Sequence, residues 1–104
     1  MVRKLSQKKI QSLQIVYPNL YRWIVEELEE KFCIHSYDIQ ADAIQKENGV
    51  EVIIRFGQYF HHQKKEFLSN PIERSSEEFN KFIHKIGKAC REVLIDDYFK
   101  MMTP

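Results

Sequence analysis

The chain of 104 residues holds only two cysteines, three prolines and three glycines, and no side-chain charge dominates: sixteen basic residues stand against fifteen acidic ones. Each scarcity removes a class of function. Cys33 and Cys90 are too few and too far apart for a disulfide framework, so two thiols in a reducing, cytoplasmic setting are expected. Gly49, Gly57 and Gly87 are isolated from one another, which excludes the glycine-rich phosphate cradles of P-loop and dinucleotide-binding proteins. A net charge near +1 draws the chain to neither nucleic acid nor anionic lipid as a whole, so any such binding must come from a local patch. No run approaches the roughly 20 apolar residues that span a bilayer, and the basic stretch Met1 to Lys9 is followed by no apolar segment of the kind a secretory signal needs. No membrane partner is expected.

What is present reads as one domain of ordinary globular composition, with 43% hydrophobic and 30% charged residues. Ile10, Leu13, Tyr17, Leu20, Ile24 and Leu28 recur at intervals of three and four, the spacing of one helix face, and Pro18 interrupts them. The spacing predicts two helices, about 5 to 16 and 19 to 31. The second carries four glutamates near its C-terminal half, where the helix dipole disfavours them.

The period then changes to two. Tyr37, Ile39, Ala41 and Ala43 alternate with polar residues, Val50, Val52, Ile54 and Phe56 recur at every second position with Glu51 and Arg55 among the residues between, and Asn48-Gly49 between the two sets fits a type I′ turn. A two-residue loop at Asn48-Gly49 would set Ile44 opposite Ile53, Asp42 opposite Arg55 and Lys46 opposite Glu51 on one face, with small alanines opposite Ile54 and Phe56 on the other. Gly57-Gln58 would turn the chain into a third strand, Tyr59 to Leu68. Asn70-Pro71 marks a further turn, and Ser75 or Ser76 followed by glutamates starts a long helix. Its stripe is Phe79, Phe82, Ile83, Ile86, Cys90, Val93 and Leu94, running to about Tyr98. The fold class is therefore α+β: a small antiparallel sheet, the β-hairpin plus the third strand, packed on N-terminal helices and a long C-terminal helix, in the order α-β-β-(β)-α.

No constellation carries catalysis. Asp96 and Asp97 face different directions on a helix, Asp38 and Asp42 lie about 13 Å apart on a strand, and Cys90 falls inside the apolar stripe. Cys33, His35, His61, His62 and His84 match no zinc spacing, so neither a metal nor another cofactor is expected. Lys81, Lys85, Lys88 and Arg91 fall within about 120° on the last helix and offer nucleic acid a basic stripe, although Glu77 and Glu92 lie four residues from two of them. The favoured site is an apolar island on the outer sheet face, Ile44 with Ile53 and, on the third strand, Phe60. Apolar patches rimmed by charge mark association surfaces. The expectation is a non-catalytic accessory domain of bacterial type, judged from its small size and Lys- and Ile-rich composition, that binds a second copy of itself or another protein.

Overall fold

The computed structural model describes residues 9–102, with side chains through residue 98. The elements, in order, are β1 (Gln11–Ser12), α1 (Leu13–Val16), α2 (Pro18–Phe32), β2 (Ile39–Lys46), β3 (Gly49–Phe56), β4 (His62–Ser69) and α3 (Glu77–Met102). The strands form one antiparallel sheet in the order β1-β2-β3-β4, so the fold is α+β as its periodicities require. Helices α2 and α3 cover one face of this sheet. Among the described residues no helix is long and apolar enough to cross a membrane.

The helices begin and end where local chemistry dictates. Pro18 stands in the first turn of α2, where its missing N–H costs nothing. Leu20, Ile24 and Leu28 are buried at four-residue intervals. Cys33 closes the helix in the left-handed conformation, φ 58°, with the Cys33 N–H donating to Glu29 O and the Ile34 N–H to Leu28 O. At the start of α3 the Ser76 hydroxyl accepts from the Phe79 N–H at 3.1 Å, an N-cap, and Glu77 and Glu78 occupy the first turn.

The first predicted helix is the largest correction. Residues 5 to 8 lie outside the described part, and of the rest only Leu13–Val16 is helical. Gln11 and Ser12 instead pair with Ala43 and Asp42 at the edge of β2. Ile10 is exposed, so the spacing that unites it with Leu13 does not describe one buried face. Tyr37 likewise leaves the strand pattern for a short 3-10 turn, Ser36–Asp38.

The hairpin exists, but its register is displaced by two residues. The loop is Glu47-Asn48, Lys46 faces Gly49, Ile44 faces Glu51 and Asp42 faces Ile53. Neither loop residue has positive φ, so the turn is not type I′. Gly49 serves another purpose: a Cβ there would press closer than 3.0 Å on the Leu68 carbonyl and the Phe67 ring of β4. The glycine permits close approach of the third strand rather than a left-handed turn. A shift of two residues preserves the face of every side chain, so Ile39, Ala41, Ala43, Val50, Val52, Ile54 and Phe56 still point inward and are buried. They meet Leu20, Ile24 and Leu28 of α2 and Phe79, Phe82, Ile83, Ile86 and Cys90 of α3 in one core.

Three of the four glutamates of α2 have partners beyond the helix, and Lys31 within it shares one of them. Arg74, in the loop before α3, donates to Glu26 at 2.9 Å and to Glu27 at 2.7 and 3.0 Å, while Lys31 reaches Glu27 at 3.0 Å and His35 reaches Glu29 at 3.1 Å. Hydrogen bonds from Lys31 and then Arg74 hold the Glu27 carboxyl below its ordinary pKa. A depressed carboxyl stabilises the fold above its unfolded pKa, and this contribution is lost as pH falls through the folded value. Arg74→Ala is therefore expected to lower the urea midpoint at pH 7, and the gap to the parent protein should narrow as pH is taken below the ordinary glutamate range. A gap that stays constant down to pH 3 would show that Arg74 acts by packing alone.

Candidate association surface

Among the described residues helices cover one face of the sheet only, and the alternation of β2, β3 and β4 fixes which side chains stand on the other. From the registers, the outer face carries Gln40, Asp42, Ile44 and Lys46 on β2, Glu51, Ile53 and Arg55 on β3, and Gln63, Lys65 and Phe67 on β4. Ile53 lies at its centre with Asp42 on one side and Lys65 on the other. Its side chain is 1% exposed, although it is not part of the helix-covered core. Ile44 sits diagonally beside it and is half-buried, and an Arg55–Asp42 ion pair crosses the neighbouring diagonal. Phe67, on the opposite diagonal, is 44% exposed. Ile10, one residue before β1, is also exposed, and the β1 register carried back one residue sets it beside Ile44.

The island predicted around Ile44 and Ile53 is thus present in altered form. The two isoleucines are diagonal neighbours rather than opposed, and Phe60 does not belong to it. Between β3 and β4 the chain uses five residues rather than two: Gly57 with φ 83°, a 3-10 turn Gln58–Phe60, and His61. Tyr59 and Phe60 themselves adopt positive φ, and the Gln58 N–H donates to Asp97 of α3 at 3.0 Å, fastening the turn to the helix. The longer connection moves the pairing of the third strand by three residues, an odd number, which exchanges its faces. Phe60 leaves the sheet and Phe67 takes the outer position. Only the length of the connection separates the two outcomes, and Gly57-Gln58 read as a tight turn hid it.

The basic stripe is largely engaged. Lys81 lies 3.6 Å from Glu77, Lys85 lies 3.4 Å from Glu66, and Arg91 donates to the Phe32 carbonyl at 2.7 Å, closing the end of α2. Lys88 is exposed and has no partner among the described residues. Of the cluster near the N-terminus, Lys9 is exposed, while Arg3, Lys4 and Lys8 lie outside the described residues.

The histidines are dispersed: His35 stacks on Tyr37, His62 on Phe56, and His84 meets Phe32 edge-on. Among the described residues no three of His, Cys, Asp and Glu are gathered as metal ligands would be. The two thiols differ sharply. Cys33 is exposed at the end of α2, whereas burial, and secondarily the charge of Asp38, pushes the Cys90 thiol up to about 12. One thiol per chain is expected to react with an aromatic disulfide reagent at pH 8, and the second only when denaturant is added. Two fast thiols in the folded protein would place Cys90 outside the core.

Comparison with protein-family models, with curated proteins and with solved structures finds no match.

Proposed function

We propose that the chain is a small, non-catalytic accessory domain of bacterial type, cytoplasmic, that works as a homodimer and acts by protein association through the outer face of its sheet. The observation that supports this is the face that carries no helix among the described residues, where Ile10, Ile44 and Phe67 surround the covered Ile53 within a frame of Asp42, Glu51, Arg55 and Lys65. Charges of both signs around an apolar centre suit a two-fold contact, in which each group must meet its complement on an identical surface.

Size limits how the face is used. With strands about 4.8 Å apart and about 3.3 Å per residue, the face covers on the order of 400 Å². A standard interface takes about 800 Å² from each partner, so two single faces pressed together would make a weak pair. The test is light scattering over a concentration series from micromolar to millimolar. A mass near twice 12.6 kDa is expected within it, and a monomer at every concentration would overturn the homodimer.

A further inference from the structure

β4 ends the sheet, and two hydrogen bonds establish which way its backbone groups point. The Asn70 N–H donates to Asn48 O at 2.8 Å, across the mouth of the β3–β4 ladder, while the Ser69 N–H turns away and donates to the Glu78 carboxylate at 3.3 Å. Bonding alternates along an antiparallel ladder. His62, Lys64, Glu66 and Leu68 therefore bond to β3, and Gln63, Lys65 and Phe67 direct their N–H and C=O groups outward. Glu78 closes this edge at Ser69, and among the described residues nothing closes it at the other three.

We infer that this stretch pairs with the same stretch of a second copy, antiparallel about a two-fold axis through Lys65, joining two sheets into one of eight strands. The inference rests on the homodimer reading and moves its seam from the outer face to the β4 edge. A two-fold axis perpendicular to the sheet keeps inner faces with inner faces, so opposed residues share parity, and only a few registers exist. With Lys65 opposite its twin, Gln63 opposes the partner's Phe67, and the outward groups of all three residues are satisfied by six backbone bonds. The same register sets Lys64 opposite the partner's Glu66, twice, in the closer positions of the ladder where opposite charges interact best.

The neighbouring registers are worse on both counts. Centring the axis on Glu66 sets two glutamates face to face and calls on the Ser69 N–H that Glu78 already holds. Centring it on Lys64 opposes two lysines in the close position and leaves four bonds within the strand. The chosen register does oppose Lys65 to its twin, but on the outer face both side chains reach into solvent, where salt screens them. A lysine on an edge also guards it against unrelated strands, which leaves the Lys64 and Glu66 pattern to select the partner. On the inner face an open hollow of about 260 Å³ lies between β4 and α3, so the helix stands back from the edge. The paired sheet would present an outer face on the order of 800 Å², the size that one side of a standard interface requires.

The experiment uses cysteine pairs in a Cys33→Ser background, oxidised with glutathione disulfide. Lys65→Cys places two thiols on opposed residues with Cα atoms about 5.5 Å apart, within disulfide reach, whereas Gln63→Cys leaves its twin roughly 13 Å along the strand. A covalent dimer is expected for the first and not for the second; equal cross-linking of both, or of neither, overturns the seam. Light scattering adds a charge test: Lys64→Glu should weaken the dimer at least tenfold, and Lys64→Glu with Glu66→Lys should recover most of that loss. Because Glu66 also faces Lys85 of its own chain at 3.4 Å, the series is made in a Lys85→Ala background, and failure of the double variant to recover there also overturns it. Ile44→Glu separates the two proposals, because a dimer that survives it supports the edge. Monomer formation by Ile44→Glu, with no cross-link at Lys65→Cys, would overturn the edge and leave a face-to-face homodimer. A parent protein that is monomeric throughout removes both.

Discussion

Phe79→Ala is expected to cost about 3–5 kcal/mol of folding free energy, the range for removing a buried phenylalanine without refilling its space. Phe79 is 1% exposed, in the first turns of α3. Its ring meets Trp23 of α2 edge-on at 6.3 Å and Phe82 at 6.2 Å, so one side chain joins both helices above the inner sheet face. Neither neighbour can close the gap easily. Trp23 is held on α2, whose position is set by Leu20, Ile24 and Leu28, and Phe82 is itself buried against the core. Domains of this size are stable by about 5–15 kcal/mol in total, so the variant should remain folded only with a much reduced margin. The measurement is urea unfolding, with a midpoint lower by roughly 2 M at unchanged slope. A loss below about 1 kcal/mol would show that the two helices collapse onto the space and that the aromatic contact is not what joins them.

The same joint shows why much of the fold was legible in the sequence. Phe79, Phe82, Ile83, Ile86 and Cys90 recur with helical spacing, and all five are buried; the stripe determined the helix, and Ser76 its start. The inner sheet face was legible for a similar reason, since a period of two assigns faces whatever the register. Register itself was not legible. Asn48-Gly49 has the residues of a tight turn, yet the glycine is required by the nearness of Phe67 and Leu68, eighteen and nineteen residues away, which no local pattern encodes. The first helix failed in the same way: the backbone groups of Gln11 and Ser12 are claimed by β2, a tertiary demand that overrides spacing. The outer-face site inherits both effects. Ile44 and Ile53 keep their expected place on the outer face because parity survives a two-residue shift, and Phe67 stands there against expectation because parity does not survive a three-residue one. Glu26 and Glu29 of α2 had no explanation in their own helix because their partners, Arg74 and His35, lie beyond it, and Glu27 is shared between Arg74 and Lys31.

Gly87→Ala is expected to destabilise the protein by about 1 kcal/mol, although the same substitution in an exposed helix would stabilise it by nearly that amount. Glycine in a helix interior is less favourable than alanine by about 0.5–1 kcal/mol, so a glycine ten residues into α3 must be answering to something else. It answers to Phe32: a Cβ at position 87 would lie closer than 3.0 Å to three atoms of that ring. The ring has little freedom to move aside. His84, three residues before Gly87, meets it edge-on at 5.9 Å, and Arg91, four residues after, holds the Phe32 carbonyl at 2.7 Å. Forcing a methyl group into such a contact costs about 1–3 kcal/mol, which outweighs the gain in propensity. Removing the ring should reverse the sign, so that in a Phe32→Ala background Gly87→Ala stabilises by about 0.5–1 kcal/mol. A double-mutant cycle by urea unfolding measures the difference, and a coupling near zero would mean that α2 and α3 do not pack through this contact. A coupling of about 1.5 kcal/mol or more would locate the close crossing of the two helices at Gly87, the position where their separation is set by the absence of a side chain.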